Sequence, residues 1–122
     1  MVRNWDTIRA ILLKLEAAKT AHTTLTLDQV DGIAPQEVGY HMMLLKEAGL
    51  IEANILKSST GDGAIATALA RRLTFAGHEF LDQIRDPTLW GGIKSKVKEK
   101  GFDLTFDTIK AAAAALIKAA LS

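Results

Sequence analysis

Cysteine is absent from the 122 residues of this chain. Without thiols there is no disulfide, no thiolate zinc site and no cysteine nucleophile. An excess of one charge is lacking too, because 15 lysines and arginines stand against 14 aspartates and glutamates. With nearly half of the residues apolar and no dominant acidic or basic tail, the composition predicts one folded domain.

The sequence also lacks a long uninterrupted run of apolar residues. Charged residues interrupt the first twenty positions, among them Arg3, Asp6, Arg9, Lys14 and Glu16, which excludes the apolar core of a signal peptide or membrane span. The alanine-rich "AAAAALIKAALS" near the other end is too short to span a bilayer and is interrupted by Lys118. We therefore expect a cytoplasmic protein that does not insert into a membrane.

Helical spacing of apolar residues predicts two helices in the first half. The first covers about residues 4–19 with Asn4 as its N-cap, and its apolar positions are Trp5, Ile8, Leu12 and Leu15. The second, "PQEVGYHMMLLKEA", runs from 35 to 48, because Pro35 suits a first turn and Gly49 suits the left-handed conformation that ends a helix. Between them "HTTLTLDQVDG" predicts a short strand, or a strand running into a single helical turn, which leaves open whether residues 27–30 form a helix.

Alternating segments follow at 50–57 and 65–75 and predict a β-hairpin whose tip is "SSTGDGA". Helices are then expected at 75–85, at about 88–101 and at 106–121, with Thr74 and Thr105 as N-caps. The predicted fold class is mainly α with a small β-hairpin, an α+β winged-helix-like domain with additional C-terminal helices. Residues 1–86 form the predicted core, and 87–122 a helical extension packed on it or used for dimerisation, within a single domain overall.

Several fragments together resemble one family. "WDTIRAILLKLE" is similar to "MDxIRxILLxxE", residues 40–53 to "YHxxLLxEAGLIEA", residues 72–90 to "RLTxxGHEFLDxxRDxTxW", and residues 96–110 to "KxKEKGxxLTFDxxK". These patterns resemble the bacterial and phage family of the domain of unknown function 2513. The resemblance implies a winged-helix-like protein of a bacterial genome, prophage or mobile element, and it brings no catalytic residues.

A broader resemblance is to arsenic-repressor-type and multiple-antibiotic-resistance-type regulators. Their reading helix often ends "HLKLLxEAGLV" and their wing often ends "LTxxG", patterns that fit residues 41–51 and 73–77. Those regulators place a full helix before the reading helix, where this chain has only "LDQV". The resemblance implies a DNA-binding function.

Candidate DNA contacts lie on the second helix and on the hairpin. Gln36 and Tyr40 fall on the predicted outer face of the helix, and Lys57, Arg71 and Arg72 supply positive charge on the wing. The helix itself is net acidic, so the electrostatic attraction that supplies most non-specific DNA affinity is missing from it. The alternative is a protein-interaction, or adaptor, module whose partner surface includes Tyr40 and Met43.

An enzyme is not expected, because no nucleophile, base and orienting group can be assembled. His78 and Glu79 resemble part of a zinc-protease helix, but Asp82 stands where the second histidine would be, and His41 suits packing or capping. We predict no metal and no cofactor. The expected function is DNA binding, as in a transcriptional regulator, with a homodimer formed through the C-terminal helix.

Overall fold

The computed structural model describes residues 1–21 and 23–122, and in these residues it contains five helices and three strands. In chain order they are α1 (Trp5–Glu16), β1 (Leu25–Thr26), α2 (Pro35–Glu47), β2 (Ile51–Lys57), β3 (Ile65–Leu73), α3 (Phe75–Ile84), α4 (Pro87–Glu99) and α5 (Phe106–Leu121). The predicted α+β class is confirmed. The chain divides into two compact units, Met1–Phe80 and Leu81–Ser122, and the division falls within α3.

Helix α1 begins at the predicted cap. The Asn4 side-chain oxygen accepts hydrogen bonds from the backbone N–H groups of Asp6, at 2.9 Å, and Thr7, at 3.2 Å. These bonds satisfy two of the donors that every helix start leaves unpaired. The apolar face is buried as its spacing predicted, and it consists of Trp5, Ile8, Ile11, Leu12 and Leu15.

The segment after β1 is a turn and not a helix. The backbone N–H of Thr26 donates to the Gln29 side-chain oxygen at 2.8 Å, and the Thr26 hydroxyl donates to the Asp28 carboxylate. Side-chain bonds of this kind compete with the backbone bonds that a helix would need. The unit therefore has a two-residue strand followed by a turn between α1 and α2.

Helix α2 starts at Pro35 and is closed by Gly49, whose φ of 76° is the left-handed conformation predicted for it. Val38, Met42 and Leu45 are buried on its inner face. The N–H of the next buried residue, Leu50, bonds back to the Leu45 carbonyl at 3.0 Å.

The sheet is antiparallel throughout, with β3 between β1 and β2. The predicted hairpin is confirmed: Ile51 pairs with Leu73 at its base, and Lys57 pairs with Ile65 near its tip. The register skips Arg71, since Glu52 pairs with Arg72 while Ala53 pairs with Ala70. Arg71 is thus the extra residue of a β-bulge, a feature that re-aims the side chain it carries.

The second unit contains α4 and α5. The Asp86 side chain caps α4 by accepting from the N–H of Leu89 at 2.7 Å, and Gly101, with φ 79°, ends the following turn. Thr105 and Thr108 exchange side-chain and backbone hydrogen bonds in a capping box that starts α5 where the sequence predicted it. The buried residues are Trp90, Ile93 and Val97 from α4 and Ile109, Ala112 and Ala113 from α5.

None of the helices that the structure describes is both long enough and apolar enough to cross a membrane.

Candidate functional site

Gln36, a predicted DNA contact, is held by the start of β3. Its side-chain oxygen accepts from the backbone N–H of Ile65 at 3.0 Å, and its amide nitrogen donates to the Ile65 carbonyl at 2.7 Å. The amide therefore pairs with the strand much as another strand would. One turn later the contact continues, because a Cβ on Gly39 would lie 3.0 Å from an Ile65 methyl carbon. Gln36 fixes α2 against the hairpin.

Tyr40 and Met43, the predicted partner surface, are both half-buried on α2. The Tyr40 ring stands edge-on to the ring of His41, with 5.5 Å between the centroids. His41 is fully buried: its Nε2 accepts from the backbone N–H of Asn4 at 2.8 Å, and its Nδ1 lies 2.7 Å from the Glu37 carbonyl. A neutral ring with its proton on Nδ1 makes both bonds. The predicted packing role of His41 is confirmed, and the ring links α2 to the start of α1.

Arg72 is an ion-paired residue of the hairpin. Two of its guanidinium nitrogens bind the two oxygens of the Glu52 carboxylate, at 3.0 and 2.7 Å, and the third donates to the Leu73 carbonyl at 3.2 Å. The pairing follows from register, which sets Glu52 opposite Arg72. Because both side chains are about half exposed, the pair adds little stability. The ion pair matters for DNA binding because the Glu52 carboxylate already neutralises the positive charge of Arg72.

Arg71 is exposed at the bulge and makes no hydrogen bond or ion pair with any described residue. Lys57 is exposed as well, but it pairs with Ile65 at the far end of β3. Six residues of strand separate Ile65 from Arg71, which at 3.3 Å per residue is about 20 Å. The five predicted DNA contacts therefore lie in two places. Gln36 and Lys57 flank Ile65 near the hairpin tip, with Tyr40 one helical turn further along α2, whereas Arg71 and Arg72 lie at the hairpin base.

A cleft of about 300 Å³ opens beside Arg71. The end of α1 and the residues after it form one wall, β3 forms another, and His78 of α3 completes the lining. The side chains that can carry positive charge here are Lys19, Arg71, Arg72 and His78, and Glu16 is the carboxylate among the described lining residues. Lys19 and Arg71 have no charged partner in the described part of the chain, so the cleft suits an anionic group.

Lys19 and His78 are not among the DNA contacts that the sequence predicts. Lys19 follows α1 and lines the same cleft as Arg71 only because the chain folds back, which no local sequence pattern indicates. The sequence pattern around His78 bears only on metal binding, through its partial likeness to a zinc-protease helix. Over residues 1–21 and 23–122, no group of three or more histidine, aspartate or glutamate side chains is arranged to hold a metal ion.

Comparison with known proteins places the chain beside sequences without assigned activity. Residues 2–103 match the family described as "Hypothetical protein (DUF2513)". A protein of Haemophilus influenzae, described as an uncharacterized protein, is 45% identical over 122 residues, which is the full length of both chains. No solved structure matches the chain.

Proposed function

The chain belongs to the family of the domain of unknown function 2513, which assigns it no activity. From the geometry of its first unit, we propose that Met1–Phe80 is a winged-helix-like unit that binds double-stranded DNA. The order of elements supports this proposal. A helix, a short strand, a second helix and a two-stranded hairpin follow one another, and the short strand completes the sheet on the β3 side.

The observation that carries the proposal is that the Arg71 side chain in the basic cleft has no charged partner among residues 1–21 and 23–122. DNA presents a dense row of phosphate charges, and a cationic side chain that neutralises one of them releases a condensed counterion. Since no described carboxylate pairs with Arg71 or Lys19, both side chains can make such contacts, and Lys57 offers another at the hairpin tip. Contacts to phosphate hold a protein on DNA but carry no sequence information directly.

Reading of bases by α2 forms no part of the proposed mechanism. The Gln36 amide is bound to Ile65, and the Arg72 guanidinium is bound to Glu52. The remaining charges of the helix are Glu37, Lys46 and Glu47, a net negative set. We therefore expect strongly salt-dependent binding with weak preference for sequence.

Fluorescence polarisation with a labelled mixed-sequence duplex at two or more salt concentrations tests the proposal. Arg71→Ala should weaken binding by about three- to tenfold and reduce the slope of log affinity against log salt by about 1. Lys118→Ala in α5 removes the same net charge from the second unit and is the matched control. Arg72→Ala should alter the slope less than Arg71→Ala, because Glu52 already neutralises that guanidinium.

Absence of binding at low salt would reject DNA as the ligand. Binding that survives in Arg71→Ala but falls in Lys118→Ala would reject the cleft while keeping the function.

A second candidate is a protein-interaction module that uses Tyr40 and Met43. Their partial exposure on α2 favours it, since apolar side chains left half-open on a helix suit a partner surface. Replacing Met43 by Glu should then abolish capture of a partner while the thermal midpoint changes little. If capture persists in this variant, α2 is not the surface.

The finer parts of the proposal are a homodimer formed through α5, a cytoplasmic location, and a role as a regulator of bacterial or phage origin. The exposed apolar residues Ile117 and Leu121 near the end of α5 support the dimer.

A further inference from the structure

The second unit has a groove of its own between α4 and α5. Its volume is about 250 Å³ and it opens to solvent. Val97, Ala111 and Ala112 line its floor, and Phe102, 65% exposed, stands at its side. The small alanine side chains leave the space open, because a larger residue at either position would fill it.

The one hydroxyl among the described lining residues is already engaged. The Thr108 hydroxyl donates to the Asp103 carbonyl at 2.8 Å and accepts from the backbone N–H of Thr105 at 2.8 Å. The second of these bonds belongs to the capping box of α5, and with both made the hydroxyl is not available to recognise a ligand. The groove floor therefore behaves as an apolar surface, and exposed apolar surface flanked by charge is typical of an interaction site.

Two lysines form the rim. Lys96 lies in the last turn of α4, and Lys100, four residues later, is the residue that caps its end; both line the groove, whereas Lys98, between them, does not. Neither rim ammonium has a carboxylate or hydrogen-bond partner among the described residues, and no described lining residue is acidic. The second unit as a whole is also net positive. Leu81–Ser122 has seven lysines and arginines and five aspartates and glutamates, whereas Met1–Phe80 has eight and nine.

We propose that this groove binds an acidic amphipathic peptide segment of a partner protein. A bulky apolar side chain of the segment would lie between Phe102 and the alanines, and its flanking carboxylates would face Lys96 and Lys100. Size favours a peptide over a small molecule, since pockets that enclose small ligands usually measure about 300–1,000 Å³ and are more closed. An amphipathic helix laid into a groove needs space for only one or two side chains at a time.

A fluorescein-labelled peptide of about 16 residues, with glutamates on one helical face and Leu and Phe at i, i+3, i+4 and i+7 on the other, is the probe. Polarisation should show micromolar binding to the full chain. The same peptide with every glutamate replaced by lysine should bind at least tenfold more weakly, because the rim repels it.

Variants locate the site. Replacing Lys96 and Lys100 together by Ala should weaken binding by roughly tenfold, as should Phe102→Ala. Lys98→Ala, which removes a charge from the same helix but not from the rim, should stay within about twofold. Phe102, Lys98 and Lys100 are exposed, and Lys96 is half-buried without an ion pair to any described residue, so circular dichroism melts of these variants should lie close to that of the parent chain.

Several results would overturn the proposal. They are failure of the acidic peptide to bind, equal binding of the lysine peptide, or an equal effect of Lys98→Ala and the rim variants. If dodecanoate binds the groove while the peptide does not, the occupant is an aliphatic acid. If sedimentation shows a dimer that Phe102→Ala dissociates, and no peptide binds, the occupant is a second copy of this chain.

Discussion

His41 shows how one buried polar residue joins two distant parts of the chain. It lies on α2, yet its Nε2 accepts from the N–H of Asn4, the residue whose side chain caps α1. The sequence could indicate that His41 packs, since it adjoins the apolar face of α2, but it could not identify Asn4 as the partner. Thirty-seven residues separate the two, and only the packing of α1 on α2 brings them together.

Replacing His41 by Ala should destabilise the chain by about 2–3 kcal/mol. The variant leaves a cavity and removes the acceptor of the Asn4 N–H. Urea denaturation followed by circular dichroism measures the change. His78→Ala is the control, because that side chain is exposed, and its cost should stay within about 0.5 kcal/mol. Equal effects of the two substitutions would contradict the structural role of His41.

Gly77 and Gly91 are both helical glycines, but their surroundings differ. A Cβ on Gly77 would lie 2.0 Å from the Leu50 carbonyl oxygen, a backbone atom that also accepts from the Thr74 N–H. A Cβ on Gly91 would meet nothing within 4 Å. Only the first glycine is required by close packing.

We therefore expect opposite results from the same substitution. Gly77→Ala should cost about 3 kcal/mol or more, since backbone cannot move aside without disturbing the junction of α2, β2 and α3. Gly91→Ala should stabilise by about 0.5–1 kcal/mol, because alanine favours the helix and restricts the unfolded chain. Chemical denaturation gives the free energy of unfolding of both variants. Destabilisation by Gly91→Ala would show that the space around Gly91 is needed.

At the level of elements, the boundaries of α2 follow from the sequence, but the roles of its outward side chains do not. Its boundaries were predicted well, because Pro35 and Gly49 act locally and its apolar spacing is regular. Which outward residues are free was not predictable. The amide of Gln36 is taken by Ile65, and that contact depends on where the hairpin packs against the helix.

The hairpin tip is held by hydrogen bonds between residues close in sequence, centred on the Asp62 carboxylate. The N–H of Ala64 donates to the Asp62 carboxylate at 2.9 Å, and with the Thr60 hydroxyl it holds the pKa of Asp62 below its ordinary value. A lowered pKa in the folded state adds stability at pH above the ordinary value, and this is lost as pH falls through the lowered pKa. Gly61 and Gly63, both with positive φ, shape the turn that allows these bonds.

NMR titration of the Asp62 carboxyl carbon should therefore give a midpoint below that of an aspartate in an unstructured peptide. In Asp62→Asn the stability deficit relative to the parent chain should be greatest at neutral pH and should shrink in acid, below the lowered pKa. The effect is small, because Asp62 is fully exposed to solvent. An ordinary midpoint would show that the tip is not held in this form.

At the scale of the whole molecule, the proposed homodimer depends on α5. Sedimentation equilibrium of the parent chain should show a dimer, and replacing Ile117 and Leu121 together by Glu should shift it to monomer. Both side chains are exposed, so the thermal midpoint of the variant, extrapolated to low concentration, should stay within a few degrees of that of the parent. A monomeric parent chain would reject the dimer and leave any DNA binding to single copies.

Local sequence patterns predict most helices and strands of this chain and where they end, because the forces that set these limits act within a few residues. The caps at Asn4 and Thr105, the left-handed Gly49 and the alternation of the hairpin strands are of this kind. Which charged side chains keep a partner depends instead on contacts formed when the chain folds. Strand register pairs Arg72 with Glu52, and the β-bulge leaves Arg71 exposed. Reversal of the chain after α1 brings Lys19 to the cleft that Arg71 lines. Each of these arrangements joins residues far apart in sequence, so no local sequence pattern predicts it.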